Sequence, residues 1–405
     1  MSANNLTRPA AEGTDNALQV FLIFLRLGLT SFGGPIAHIG YFRDEFVSRR
    51  QWLNERSYAD LVALCQFLPG PASSQVGLAL GLSRAGYRGA LAAWLGFTLP
   101  SALVLILLAM GIYGFADGAV SSGLLTGLKV VAVAVVAQAV WGMARNLCPD
   151  TPRLTLMAVA TCLVLLLPSV YAQVGVIVAA GVVGLFAFKP AASDANDDWR
   201  VPVSRGAGLF WLSLFFVLLL ALPIAMQLFP SQTLALIDAF YRAGSLVFGG
   251  GHVVLPLLQA EVVPTGWVPE DVFLAGYGAA QAVPGPLFTF AAFLGAAMTF
   301  PPTAWLGGLI CLLAIFAPSF LLIAGALPFW QQLRANTRMQ SALMGINAGV
   351  VGLLLAALYD PVWTSAIVGP KEFAMALVAL IALMAWKLPP WLVVLASAAI
   401  GWLIA

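Results

Sequence analysis

The chain has 405 residues, 61% of them hydrophobic and only 9% charged, with a formal net charge of +2 and a mean hydropathy of +0.94. A soluble domain is roughly 45–50% apolar and about 25% charged, so that class is excluded. Several apolar runs reach the roughly 18 residues that cross a hydrocarbon core of about 30 Å, which predicts an all-α polytopic membrane protein rather than a transmembrane barrel of short alternating segments.

In chain order, the first stretch, MSANNLTRPAAEGTDNA, is polar and lacks a cleavable signal pattern, so the first hydrophobic segment is expected to direct insertion. Thirteen hydrophobic segments follow, at 17–42, 57–82, 89–115, 119–145, 154–168, 170–188, 208–228, 233–258, 271–297, 302–325, 341–358, 373–387 and 390–405. The only long charged stretch between them is Lys189–Arg205. The expected organisation is an N-terminal repeat at 1–188, a linker with one unpaired helix at 189–232, and a C-terminal repeat at 233–405.

The two halves resemble each other. FLRLGLTSFGG at 24–34 aligns with FYRAGSLVFGG at 240–250 at an offset of 216, which puts Arg26 on Arg242 and Glu45 on Glu261. At an offset of 215, Trp52 falls on Trp267, Pro69-Gly70-Pro71 on Pro284-Gly285-Pro286, and Ser74 on Thr289. At 218, Pro100-Ser101 falls on Pro318-Ser319, and GLKVV at 127–131 on GINAG at 345–349, so Lys129 meets Asn347. An odd number of crossings between the repeats gives them inverted topology, an arrangement common in secondary transporters.

Charge sets the orientation. If all thirteen segments cross, one side carries 11 loop Lys and Arg and the other five, which puts the N-terminus in the cytoplasm and the C-terminus outside. The loop RDEFVSRRQWLNER at 43–56, with four arginines, then lies on the wrong side. If 17–42 and 57–82 are instead re-entrant hairpins broken at FGG and PGP, the balance becomes 15 to one.

Each proline of PGP removes a backbone N–H and breaks the helix. A bilayer tolerates the break only where freed backbone groups are buried in protein or line a wet cavity. The new helix N-terminus is a ready anion site. Ser73 and Ser74 follow Pro69-Gly70-Pro71, and Thr289 follows Pro284-Gly285-Pro286; a plain packing kink is the alternative. Phe32-Gly33-Gly34 and Phe248-Gly249-Gly250 allow close backbone approach or tight helix packing. His38 and His252 lie beside these motifs, as structural or proton-responsive groups.

Arg26, Arg242 and Lys129 sit inside apolar segments, where a cation normally faces a cavity or a partner. They are read as anion ligands, or as partners of Glu45 and Glu261, or as snorkelling side chains. Cations with almost no carboxylate inside the segments favour an anionic substrate. The four cysteines are scattered, and no metal, nucleotide or hydrolase motif is present, so an enzyme, a cofactor and a nucleic-acid partner are not expected.

FGGPIAHIGYF, QFLPGPASSQ, FGGGHVVLP and QAVPGPLFTFAAFLGA together resemble the long-chain chromate ion transporter family, from about residue 18 to the C-terminus. The resemblance implies export of chromate across the bacterial inner membrane, chromate resistance, and sulfate as competitor. It places function on Phe32-Gly33-Gly34, Pro69-Gly70-Pro71 and their counterparts. A carrier or channel for another anion and a non-transporting membrane scaffold are the competing readings, and a homodimer is left open.

Overall fold

A computed structural model describes residues 16–114, 119–167, 169–190 and 203–404. Arg8, Arg200 and most of the charged linker lie outside the described residues. The described residues form helices and turns, with no β-strand among them.

The first half opens with α1 (Ala17–Thr30), capped by Asn16. The Phe32-Gly33-Gly34 break follows, then α2 (Gly34–Arg43) and a π-helical turn at Asp44–Arg49. Eighteen residues of straight helix would hold Phe24 and Phe42 about 27 Å apart. Their ring centroids are 5.6 Å apart, and Phe24 lies 5.1 Å from Phe46, so the chain doubles back at FGG. The second hairpin pairs α3 (Glu55–Phe67) with the first arm, 72–84, of α4 (Ala72–Gly114). Its two ends meet where the Arg84 guanidinium lies 5.0 Å from the Trp52 ring. The helix α4 then turns at Ala85 and Gly86, whose backbones are non-helical, and its second arm runs on as a long apolar helix.

Next come α5 (Ala119–Leu147), α6 (Thr151–Leu166), α7 (Val170–Ala187) and α8 (Arg205–Leu228). The second half repeats the plan. Helix α9 (Gln232–Leu246) and α10 (Val254–Val262) flank FGG, while α11 (Glu270–Ala280) and α12 (Phe290–Ala296) flank PGP. The ends of this second hairpin meet through Thr299 N–H, which donates to the Trp267 carbonyl at 2.9 Å. Trp267 and Thr299 are the repeat mates of Trp52 and Arg84, both at an offset of 215. Helix α13 (Ala304–Ala326), the short α14 (Trp330–Ala335), α15 (Thr337–Ala357), one turn of α16 (Thr364–Ala366), α17 (Pro370–Met384) and α18 (Pro390–Ile404) complete the chain.

The 14 residues of α1 and 13 of α3 make rods of only about 20 Å, shorter than a hydrocarbon core of about 30 Å. Among the described residues, five helices, at 72–111, 123–147, 205–228, 304–329 and 337–366, are long and apolar enough to cross a membrane. The apolar segments at 17–42, 57–82, 233–258 and 271–297 are therefore each two short helices joined by a tip.

The halves are interlocked. Helix α5 packs against α17 and α18 of the second half, while α15 packs against α6 and α7 of the first. The matched glycines of GLK and GIN are the seats: Gly127 abuts the Ser397 carbonyl and Gly345 the Ala180 carbonyl, with no room for a Cβ at either. Small residues at such crossings let helix backbones approach, the contact that holds apolar helices together where lipid supplies no hydrophobic drive.

Helix α8 packs only along one side, against α13 and α9. Near its start Trp211 Nε1 donates to the Tyr87 hydroxyl, at the ends of the first-half hairpins; its far end leads straight into α9. Twenty-four residues of helix span about 36 Å, so the hairpin ends of the two halves lie at opposite ends of α8.

Candidate functional site: the crossing of the broken helices

The four tips meet between the halves. In Pro-Gly-Pro the glycine carries the only backbone N–H, since proline has none. Gly70 N–H donates to the Val247 carbonyl at 2.7 Å, and Gly285 N–H donates to the Ser31 carbonyl at 3.0 Å. Ser31 and Val247 are repeat mates that immediately precede the two FGG motifs. Each PGP thus latches onto the FGG tip of the other half, and the two latches are mates of one another.

Glycine is required there on two counts. Gly70 has φ +121° and Gly285 φ +107°, a region L side chains rarely adopt. A Cβ on Gly70 would also lie 2.5 Å from Ser319 Oγ and 2.6 Å from Gln75 Nε2, while one on Gly285 would lie 2.9 Å from Ser101 Oγ. The serines of the two Pro-Ser pairs therefore wall the latches, again each from the opposite half.

Buried polar groups line this crossing. Gln75 Nε2 donates to the Pro69 carbonyl at 2.6 Å. His38 Nε2 lies 3.1 Å from the Ser31 carbonyl and Nδ1 3.4 Å from Ser73 Oγ. A carbonyl can only accept, so a neutral His38 carries its hydrogen on Nε2, and Nδ1 accepts from the Ser73 hydroxyl. The Ser101 hydroxyl donates to the Thr98 carbonyl at 3.0 Å. Ser31, His38, Ser73, Ser74, Gln75, Thr98, Ser101 and Ser319 are all 3% exposed or less. Yet Ser31 Oγ, Ser74 Oγ, Gln75 Oε1, Thr98 Oγ1 and Ser319 Oγ have no hydrogen-bond partner among the described residues. A buried polar atom without a partner costs about 1–3 kcal/mol, so a cluster of five marks a place where a polar guest belongs.

The remaining expected residues are distributed around this centre. Phe32 faces Trp391, with ring centroids 6.1 Å apart. Gly33 and Gly34 both have positive φ, and a Cβ on Gly34 would meet nothing within 4 Å, so that tip faces open space. Gly249 lies beside Asn347, whose Oδ1 has no partner, and Gly250 beside Met143. Thr289 turns its hydroxyl back to the Pro286 carbonyl at 2.7 Å. His252 Nδ1 pairs with the Tyr277 hydroxyl at 2.7 Å.

The three cations all face carboxylates. Arg26 meets Glu45 at 3.0 Å, and Arg49 and Arg50 reach the same carboxylate at 3.0 and 2.6 Å. The mate of Arg26, Arg242, meets Asp238 at 2.7 Å and Glu261 at 3.3 Å. Lys129 reaches the exposed Asp271 at 2.7 Å. The matched carboxylates differ in titration. Burial raises Glu45, but hydrogen bonds from Arg50 and Arg49 and the charge of Arg26 outweigh it, so its pKa lies below the ordinary value. Burial dominates at Glu261, and Arg242 offsets it only in part, so its pKa is raised.

Ser31, Gln75, Thr98, Ser101 and Ser319 were not expected as site residues. Their signal was in the sequence, since four of them lie within or beside the repeated motifs, but nothing local distinguishes a hydroxyl at a crossing from one on a helix face.

Residues 18–185 and 234–402 each match the chromate transporter family. The chain belongs to the chromate transporter family. The chromate transport protein of Pseudomonas aeruginosa is 28% identical over 99% of this chain and 96% of its own length. A probable chromate transport protein of Synechococcus elongatus is 28% identical over 94% of each chain. An uncharacterized transporter of Bacillus subtilis is 30% identical over 31% of this chain but 70% of its own length, so this family member is similar to a protein scarcely longer than one of its repeats. No solved structure matches the transporter.

Proposed function

We propose that this family member is a secondary transporter that carries chromate out of the bacterial cytoplasm and so confers chromate resistance, with sulfate as a competing substrate. The observation that carries the reading is the buried, underbonded polar run at the junction of two interlocked repeats. The names borne by the Pseudomonas and Synechococcus relatives support chromate as the cargo.

In this reading the four broken segments enter the inner membrane and return on the side they came from, leaving an odd number of crossings. The first-half hairpin ends, with Arg43, Arg49, Arg50, Arg56 and Arg84, face the cytoplasm together with the N-terminus. The second-half ends, with Glu261, Glu270 and Asp271 and no Lys or Arg at 259–272, face the periplasm, as does the C-terminus. The repeats at 1–188 and 233–405 are inverted about the crossing, and α8 turns the second one over. Alternating access opens one latch at a time, freeing the Gly70 or the Gly285 N–H.

An inside-negative potential drives the export. Two negative charges gain about 4.6 kcal/mol per 100 mV, so efflux needs no ATP. Sulfate is a tetrahedral dianion like chromate, so the same donors accept both.

Uptake of labelled chromate into inverted membrane vesicles tests the proposal. Saturable uptake, driven by an inside-positive vesicle potential and competed by sulfate, is the expected result. Absence of chromate flux with folded protein in the membrane refutes it. Flux in both directions, indifferent to substrate on the far side, would instead make the protein a channel.

A further inference from the structure

The two repeats are matched in backbone but not in chemistry. At the crossing the first half contributes Ser31, His38, Ser73, Gln75 and Thr98, all buried. Their mates are Val247 and Val254 at an offset of 216, Phe288 and Phe290 at 215, and Phe316 at 218. Five polar positions in one half are five apolar ones in the other. The second-half mates are buried: Val247, Val254 and Phe290 are fully so, Phe288 is 1% exposed and Phe316 4%. They pack as core, and Phe288 and Phe316 touch each other with ring centroids 5.7 Å apart. Thr289, the second-half mate of Ser74, is turned back to its own backbone.

The unpartnered donors divide between the two PGP tips. Ser319, though on α13 of the second half, points at Gly70, and Gln75 flanks the same glycine from α4. Ser74 lies in the first turn of α4, whose opening arm begins directly after Pro71. Ser31, whose carbonyl takes the Gly285 N–H, and Thr98, next to the Phe97 carbonyl that faces Gly285, lie toward the second PGP. Four hydroxyls (Ser31, Ser74, Thr98 and Ser319) are free to donate, and the helix start adds its own N–H groups and positive dipole end.

We infer that a single oxyanion site lies at the crossing of the two PGP tips, supplied mainly by the first half. It binds its ligand through the hydroxyls of Ser31, Ser74, Thr98 and Ser319 and the start of α4, while Val247, Thr289 and Phe316, the second-half mates of the first three, offer no free hydroxyl. The inference rests on the transport reading and deepens it: the ligand is a dehydrated tetrahedral oxyanion held by neutral donors, not by ion pairs. Arg26, Arg242 and Lys129 already face carboxylates and hold the hairpin ends instead. Neutral donors suit a carrier, because an anion neutralised by a buried cation is harder to release. The same donors read shape and charge, so they separate chromate from sulfate poorly.

The test uses the full-length protein purified and reconstituted in liposomes, with chromate and sulfate as probes. Three readouts are taken: flux KM, binding by ligand-induced thermal stabilisation, and thermal stability without ligand. Ser74→Ala, Thr98→Val and Ser319→Ala should each raise the KM for both anions by about tenfold or more, the effect of removing one hydrogen bond to a charged ligand. Stability without ligand should hold or rise, because each change removes an unpartnered buried hydroxyl; a structural role would lower it. Val254→Ala and Phe316→Leu, at second-half positions, should leave KM within about twofold even if they lower stability. Wild-type KM in all three hydroxyl variants, with robust flux, overturns the inference and leaves the transport function standing. Flux of neither anion by the wild-type protein removes the transport reading itself. Loss of KM confined to second-half variants would reverse the assignment of the site.

Discussion

Replacing Gly70 by Ala tests whether the tips truly cross between halves. Two costs follow from the geometry. A φ of +121° is a strained backbone for alanine, worth about 1–3 kcal/mol. The new Cβ would lie 2.5 Å from Ser319 Oγ, and overpacking of this kind costs about 1–3 kcal/mol. The single variant should therefore lose about 2–6 kcal/mol. Ser319→Ala alone should be close to neutral, since that hydroxyl has no partner to lose. In the double variant the clash with Ser319 is gone while the backbone strain and the Gln75 contact remain, so the two changes should couple favourably by about 1–2 kcal/mol. Gly70→Ala with Ser101→Ala is the control, because Ser101 walls Gly285 instead, and this pair should add within about 0.5 kcal/mol. The assay is thermal unfolding in detergent micelles without substrate. Equal coupling in both pairs, or none in the first, would refute the crossed latch, whatever the transport data say.

The matched carboxylates should respond to pH in opposite ways. The Glu45 pKa is lowered in the fold, so its stabilisation is present above the unfolded value of about 4.3 and is lost as pH falls through the folded value; Glu45→Gln should be destabilised near neutral pH and approach wild type in acid. The Glu261 pKa is raised, so its stabilisation is present below that value and lost as pH rises; Glu261→Gln should match or exceed wild-type stability near neutral pH, read by melting temperature across the same series. Lys129→Ala breaks a pair whose acidic partner is largely exposed, so stability should change by less than about 1 kcal/mol and substrate KM should not move; a large KM increase would bring Lys129 back to the anion. Gly127→Leu would drive a side chain into the Ser397 carbonyl and separate α5 from α18, so the folded yield on size-exclusion chromatography should collapse, whereas Gly111→Leu, with nothing within 4 Å of its Cβ position, should be tolerated.

Hydropathy and repetition carried most of the architecture, because both are local properties of the chain. Twenty apolar residues need a bilayer wherever they stand, and FGG and PGP break a helix through their own backbone chemistry. The four arginines at 43–56 raised the re-entrant alternative, and the contacts of Phe24 with Phe42 and Phe46 bring the two sides of FGG together. The pairing of Arg26 with Glu45 and of Arg242 with Glu261 was one of three readings open for these cations, beside anion binding and snorkelling, and the ion pairs are present in the fold.

The tertiary structure alone decided what the motifs touch. Nothing in PGP says that its one N–H goes to the other repeat, or that Ser101 and Ser319 wall the glycine of the opposite half. Nothing in GLK and GIN says that their glycines seat helices exchanged between halves. Those are contacts between residues far apart in the chain, and they depend on how two similar units interlock. The same holds for the uneven chemistry that the two halves bring to the crossing. The sequence contains Ser31 opposite Val247 and Thr98 opposite Phe316, but the difference has meaning only once the fold brings those positions to one point.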